Sequence, residues 1–346
     1  MLYHHKAYIF IHFSWLIGGN KLEKPVIYAK NITSKHNKYT IITDIKKNPV
    51  SYLMGLPVIF YTFIFGYLTY PFITIAFQKY TYNKDSILKA LFLSPFVGLK
   101  NFEFFFKSTQ VWNVTRNTFL LNFMFLLFGT ITAVAIALLL NEIRGRVFKR
   151  TVQSFMLFPN YLSWVVVSFM IYSIFTTEYG LLNNILTILG KSKVAWYNEA
   201  RYWPVILTIM NVWKGAGMTA VIYLASIAGI DETYYEAAAL DGASRLRMCW
   251  HITLPLLIPT VAILTLLSIG RIMYGDFGMF YAIIGDNGIL LSTTDIIETY
   301  VFRALRRIGD PSNAMAVSLF QAIIGFVMVF GSNAIVRRYD QDAALF

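Results

Sequence analysis

Six stretches of this chain are long and nearly free of charge; they cover 53–77, 118–140, 151–175, 202–229, 256–284 and 313–336. About 20 apolar residues in a helix cross the hydrocarbon core of a bilayer. None of the runs alternates polar and apolar residues as a membrane strand does. In lipid an unpaired backbone is so costly that such runs close their hydrogen bonds internally, as helices. The expected fold class is all-α, a polytopic membrane helical bundle of six spans. Pro57, Pro71, Pro159 and Pro259 fall inside the runs, where neighbouring helices can re-satisfy the freed backbone groups.

Charge supports the same class and sets an orientation. Only 14% of the 346 residues are charged, against about 25% in soluble domains. The formal net charge is +12, but no basic stripe is interleaved with exposed aromatics, so a nucleic-acid partner is not expected. The basic residues fall mostly between runs, where they fix orientation. Lys46-Lys47 precede the first run, Arg144, Arg146, Lys149 and Arg150 follow the second, and Arg337-Arg338 close the sixth. An even number of spans puts both termini on one side, and this distribution makes that side the cytoplasm. Lys79, Lys84, Lys89, Lys100 and Lys107, with Arg303, Arg306 and Arg307, are the opposing charges on the outer side.

Three segments follow: a tail at 1–50, a transmembrane domain at 51–339 and a short tail at 340–346. The apolar stretch 7–17 is too short to span, and no A-x-A-like cleavage site follows it. It is read as part of a cytoplasmic or surface-lying tail rather than a signal peptide. His4, His5 and His12 are too scattered for a metal site, and the single Cys249 permits neither an intrachain disulfide nor a thiolate cluster. No metal is expected.

The most informative segment lies between the fourth and fifth runs, at 230–255. Residues 232–240 favour helix, with an acidic first turn and the run Ala237-Ala238-Ala239. Gly242 permits a sharp backbone change, 243–251 favours a second short helix, and Pro255 and Pro259 shape entry into the next span. Two readings follow from the residues alone. One is an L-shaped helix pair whose small side chains let another backbone approach; the other is an amphipathic linker lying on the headgroups.

This segment resembles the cytoplasmic EAA loop of permease subunits in ATP-binding-cassette importers. That pattern is E-A-A, three residues, G, nine residues, I, one residue, L-P. Glu236-Ala237-Ala238, Gly242, Ile252 and Leu254-Pro255 match every spacing. Further stretches at 96–106, 138–167, 222–231 and 295–305 are similar to the sugar and oligosaccharide branch, close to permeases for complex oligosaccharides or polysaccharide fragments. The resemblance implies a permease in a bacterial cytoplasmic membrane, with no cofactor of its own and no catalytic residues. ATP and Mg would be bound by a partner ATPase. It also implies three kinds of partner: a homologous second permease, two ATPase subunits and an extracellular solute-binding protein. The coupling contacts would fall on Glu236, Ala237, Ala238, Ala239, Asp241, Gly242, Ile252, Leu254 and Pro255.

The residues themselves argue for a separate ATPase. Gly190-Lys191-Ser192 resembles the end of a phosphate-binding loop, but Ile185 stands where the earlier glycine is required. Within the runs, Lys214, Arg271 and Asp276 each cost roughly 2.5–3.5 kcal/mol on insertion scales. They either face a translocation path, with Asp276 paired to Lys214 or Arg271 as a gate, or serve as structural pairs and snorkelling groups. Trp164, Tyr172, Asn211, Trp213, Tyr223 and Tyr274 offer the amides, hydroxyls and ring faces that bind sugars; aromatics at span ends also act as interface anchors. Three rival readings are the same machine with a peptide, amino-acid or polyol cargo, a stand-alone secondary transporter or channel, which would show repeated spans, and a membrane scaffold with no transport role.

Overall fold

The computed structural model describes residues 41–82 and 86–339. The expected tail at 1–50 therefore lies largely outside the described residues, as does the tail at 340–346. Among the described residues, five helices are long and apolar enough to cross a membrane: Pro49–Phe77, Thr109–Glu142, Ala200–Ile227, Arg245–Ile269 and Pro311–Arg338. A sixth span arises if the bent pair Arg146–Tyr161 and Trp164–Phe175 is counted as one.

The chain divides into two units at Tyr67. In the first, α1 (Pro49–Thr62) begins with proline in its first turn, where a missing N–H is tolerated. Tyr52 Oη donates to Asp44 Oδ2 at 2.7 Å, tying α1 to the short helix before it.

In the second unit, α2 (Thr109–Glu142) is a 34-residue helix, about 50 Å long at 1.5 Å per residue. It buries Val111, Val114, Leu121, Phe125, Ala133, Ala137 and Leu140, which recur at helical spacing and so form one face. That face packs on α5 (Trp203–Ile227). At one end of the pair Ala133 and Ala137 meet Ala216 and Ala220. Small side chains let membrane helices approach closely, which is where their packing energy comes from. At the other end Leu121 and Phe125 join a core with Trp203, Phe175 and Phe280.

The third apolar run corrects the expectation of a continuous span at 151–175. It folds as α3 (Arg146–Tyr161) and α4 (Trp164–Phe175), bent by 96°. Pro159 removes a backbone donor in the last turn of α3. Ser163 then caps a new helix by accepting from the Val166 N–H at 3.3 Å. At 16 and 12 residues, neither piece alone reaches the roughly 20 residues a span needs.

The fifth run is also corrected. The expected 256–284 helix stops at Ile269, at the end of α7 (Leu254–Ile269), and a new helix, α8 (Phe277–Ile283), starts after a turn. Asp276 caps α8, accepting from the Met279 N–H at 3.1 Å. On its other side the fifth span begins early, at Arg245. The second short helix expected over 243–251 is therefore the first part of that span, joined through a wide turn at Cys249–Thr253. After α8 come α9 (Ile297–Arg303) and the last span, α10 (Pro311–Tyr339). A third core gathers Ala76, Val111, Val114, Met273, Ile297 and Val317.

The α3–α5 contact depends on Gly217. A Cβ there would sit 2.2 Å from the Met156 carbonyl oxygen and 2.8 Å from its carbon, and backbone cannot rotate out of the way. Gly217→Ala is expected to destabilise the chain by about 1–3 kcal/mol, the usual cost of overpacking. A Cβ at Gly215 meets nothing within 4 Å, so Gly215→Ala is the matched control. Thermal unfolding in detergent should show a lowered midpoint for the first and little change for the second.

Candidate functional site

Two places gather the residues singled out in the sequence: a polar cavity between helices and an exposed loop helix. The cavity, about 310 Å³, lies between α2, α5, α7 and the turn after α7. Asn211, Tyr223, Arg271 and Tyr274, all expected from sequence, line it together. Tyr223 is buried within that wall, whereas Arg271 and Tyr274 are exposed. Asn122, Thr130, Thr219 and Ser268 complete the polar lining and were missed by the sequence reading. Their signal is an amide or hydroxyl placed inside an apolar run. Gly129 and Gly215 also line the space, and no heavy atom lies within 4 Å of a Cβ at either. Their lack of a side chain keeps the cavity open.

The turn carrying Arg271 and Tyr274 is pinned from α9 and α10. Glu298 Oε1 accepts from the Gly275 N–H at 2.9 Å and from Gln321 Nε2 at 2.7 Å. Gln321 Nε2 also donates to the Met273 carbonyl at 2.5 Å. Burial pushes the Glu298 carboxyl above its ordinary range, opposed by the Gln321 and Gly275 hydrogen bonds. A carboxyl raised by folding favours the folded state while protonated, so stability falls as pH rises from the ordinary carboxylate range through the raised value. Glu298→Gln removes that titration, and its unfolding midpoint should vary less between pH 4 and 8 than the wild type's.

The remaining expected path residues lie elsewhere. Trp164 Nε1 donates to Asp276 Oδ2 at 2.5 Å, and Lys214 Nζ sits 5.2 Å from the centre of the Trp164 ring. Lys214 Nζ also donates to the Asn160 carbonyl at 2.7 Å. The gate expected from sequence, Asp276 paired to Lys214 or Arg271, does not form among the described residues. Trp164 stands between the two charges and serves both, one through its N–H and one through its ring face. This cluster braces the bend between α3 and α4. Trp213 faces a separate apolar groove with Met124, Phe128 and Ile209. It is two residues from Asn211, and 200° of helical rotation puts the two side chains on opposite faces. Tyr172 is exposed, and its ring lies 5.9 Å from that of Tyr197.

The loop helix is α6 (Glu232–Leu240). Asp231 caps it by accepting from the Thr233 N–H at 3.0 Å, and hydrogen bonds from Thr233 hold the Asp231 carboxyl below its ordinary range. The helix closes with two bonds that satisfy its last carbonyls, Gly242 N to Ala239 O at 3.1 Å and Ala243 N to Ala238 O at 2.9 Å. Gly242 has φ +74°, the left-handed conformation that glycine adopts without strain. Ser244 then caps the next helix. No residue of α6 is buried. Glu236, Ala237, Ala239 and Asp241 are exposed, and Ala238 is half-buried. Tyr235 Oη and Thr253 Oγ1, 2.9 Å apart, tether α6 to the base of the fifth span. Arg245 and Glu142, 3.5 Å apart, tie the same base to the end of α2. Ile252 lies in the wide turn that leads into α7, and Leu254 and Pro255 are the first two residues of α7; none is on the loop helix itself.

Helices long enough to span a membrane, a polar cavity between them and an exposed loop helix are the features of the transmembrane part of a transporter. Residues 126–344 match the model of the family described as binding-protein-dependent transport system inner membrane component, and the chain belongs to that family. It is 33% identical to Protein LplB of Bacillus subtilis (strain 168) over 298 residues, 86% of this chain and 92% of the relative. It is 30% identical to the polygalacturonan/rhamnogalacturonan transport system permease protein YteP of the same organism, over 90% and 95% of the two chains. Among solved structures, a bacterial ABC transporter involved in the import of the acidic polysaccharide alginate superposes with a TM-score of 0.76. That match has 30% identity and covers 86% of this chain and 98% of the other. The chain is a multi-pass permease subunit of an ABC importer in the cytoplasmic (inner) membrane, and ATP hydrolysis resides in a separate subunit.

Proposed function

We propose that this permease forms half of the translocation pathway for an oligosaccharide or polysaccharide fragment and couples to its ATPase through the loop at 230–255. The observation that carries the coupling role is α6, capped at both ends and tethered at its base, yet with no buried residue along its length. A helix fixed in direction but unpartnered along its side is suited to seat in a groove of another subunit. Glu236, Ala237, Ala238, Ala239, Asp241 and Gly242 are the contact surface in this reading. Ile252, Leu254 and Pro255 carry its movement into the fifth span.

The saccharide cargo is supported by the amide, hydroxyl and tyrosine lining of the cavity and by the names of YteP and the alginate importer. The full machine in this reading has a homologous second permease, two ATPase subunits and an extracellular solute-binding protein. Both termini of this chain then face the cytoplasm. The test is co-purification with the products of neighbouring genes in mild detergent. A second permease and an ATPase should be retained, with ATP turnover stimulated by the sugar-loaded binding protein. A chain recovered alone that transports without ATP would overturn the reading.

A further inference from the structure

Apart from tyrosine, Arg271 is the one ionisable side chain among the described residues that line the cavity. Among the described residues its guanidinium makes no ion pair and no hydrogen bond. The other charges nearby are spent within the fold. Lys214 is bound to the Asn160 carbonyl and lies over Trp164. Asp276 accepts from Trp164 and Met279. Arg271 is exposed to the cavity rather than buried, and a free charge facing a cavity between membrane helices marks a ligand or a pathway.

The surrounding groups narrow that ligand. Asn122, Asn211, Thr130, Ser268 and Tyr274 supply donors and acceptors for neutral hydroxyls. They offer no negative charge to Arg271. A neutral sugar would satisfy these groups and leave the guanidinium uncompensated. A planar guanidinium matches a carboxylate through two parallel hydrogen bonds. We propose that the cargo is an acidic oligosaccharide and that Arg271 receives one of its uronate carboxylates in the cavity. This inference rests on the saccharide reading above.

The experiment uses the complete importer with its binding protein in proteoliposomes. Two cargoes are compared: galacturonate or mannuronate oligosaccharides, and the same chains with their carboxyls reduced to alcohols. The quantity read is the ratio of acidic to reduced uptake, because the binding protein imposes its own selection on both variant and wild type. Arg271→Gln is expected to lower that ratio roughly tenfold or more, the loss of a charge-assisted hydrogen bond. Arg271→Lys, which keeps the charge but not the fork, should fall between. If the binding protein passes only acidic chains, the same ratio is read from direct binding to the detergent-solubilised complex.

Equal loss of both cargoes in Arg271→Gln, or failure of the two permeases to co-purify, would overturn the inference. Either result would mean that Arg271 serves the assembly or the path in general rather than a carboxylate of the cargo. An unchanged ratio would overturn it too. If neither cargo is bound or transported by the wild type, the saccharide reading itself fails, and the two failures are thus distinguishable.

Discussion

Gly242→Val should leave the chain inserted and assembled while cargo-stimulated ATP turnover and uptake fall more than tenfold, a loss equivalent to more than about 1.4 kcal/mol of coupling. The backbone at Gly242 is left-handed, with φ +74°. Placing an L-residue there costs roughly 1–2 kcal/mol, and a β-branched one is least tolerated. Nothing lies within 4 Å of the Cβ position, so the substitution creates no clash and leaves the spans unaffected. The strain is relieved instead by redirecting the chain between α6 and Arg245. Because α6 buries no residue, few packing contacts resist that movement, and the helix no longer points where its partner expects it. Asparagine tolerates the left-handed region better than other side chains, so Gly242→Asn should be milder, with Gly242→Ala in between. Measuring uptake against membrane yield across the three variants checks the order. Full coupling in the valine variant would remove the lever role from this loop.

Asp295→Ala should destabilise the chain more than Gly217→Ala does, by about 3–5 kcal/mol, typical for breaking a buried ion pair from one side. Asp295 is nearly inaccessible and Arg303 only 13% exposed, and they are bonded through Oδ2. Oδ1 accepts from Thr299 Oγ1 at 2.7 Å, which in turn accepts from the Ile296 N–H at 3.1 Å. One residue on, the Ile297 N–H donates to Thr118 Oγ1 of α2 at 3.0 Å. The carboxylate therefore organises the start of α9 and its junction with the long helix. Removing it strands the Arg303 guanidinium without its carboxylate. The unfolding midpoint in detergent should drop on the order of 10 °C. The double variant Asp295→Leu with Arg303→Met should recover much of the loss, since it buries no charge. Additive losses in the double variant would show that the pair itself, not the stranded charge, sets the stability.

Much of the architecture was legible because the bilayer leaves so few choices. Apolar runs of sufficient length must be helices, and the first, second, fourth and sixth appear near their expected bounds. The breaks in the third and fifth runs were harder to read, because composition stays apolar across them. Pro159 and Ser163 mark the first break, and Gly270 and Asp276 the second. Each of these residues is also tolerated inside a continuous span. Only the competing hydrogen bonds, Ser163 to the Val166 N–H and Asp276 to the Met279 N–H, show that new helices begin there.

The sequence by itself determined the membrane class, the run of spans and the EAA spacing, because these depend on composition and on local order along the chain. The tertiary structure decided which side chains share a space. Asn211, Tyr223, Arg271 and Tyr274 meet in one cavity, while Trp213 faces away and Trp164, Lys214 and Asp276 form a brace. That division depends on helix rotation, on the 96° bend and on a turn pinned by Glu298 and Gln321. These features come from contacts between residues far apart in the chain, and local pattern carries no record of them.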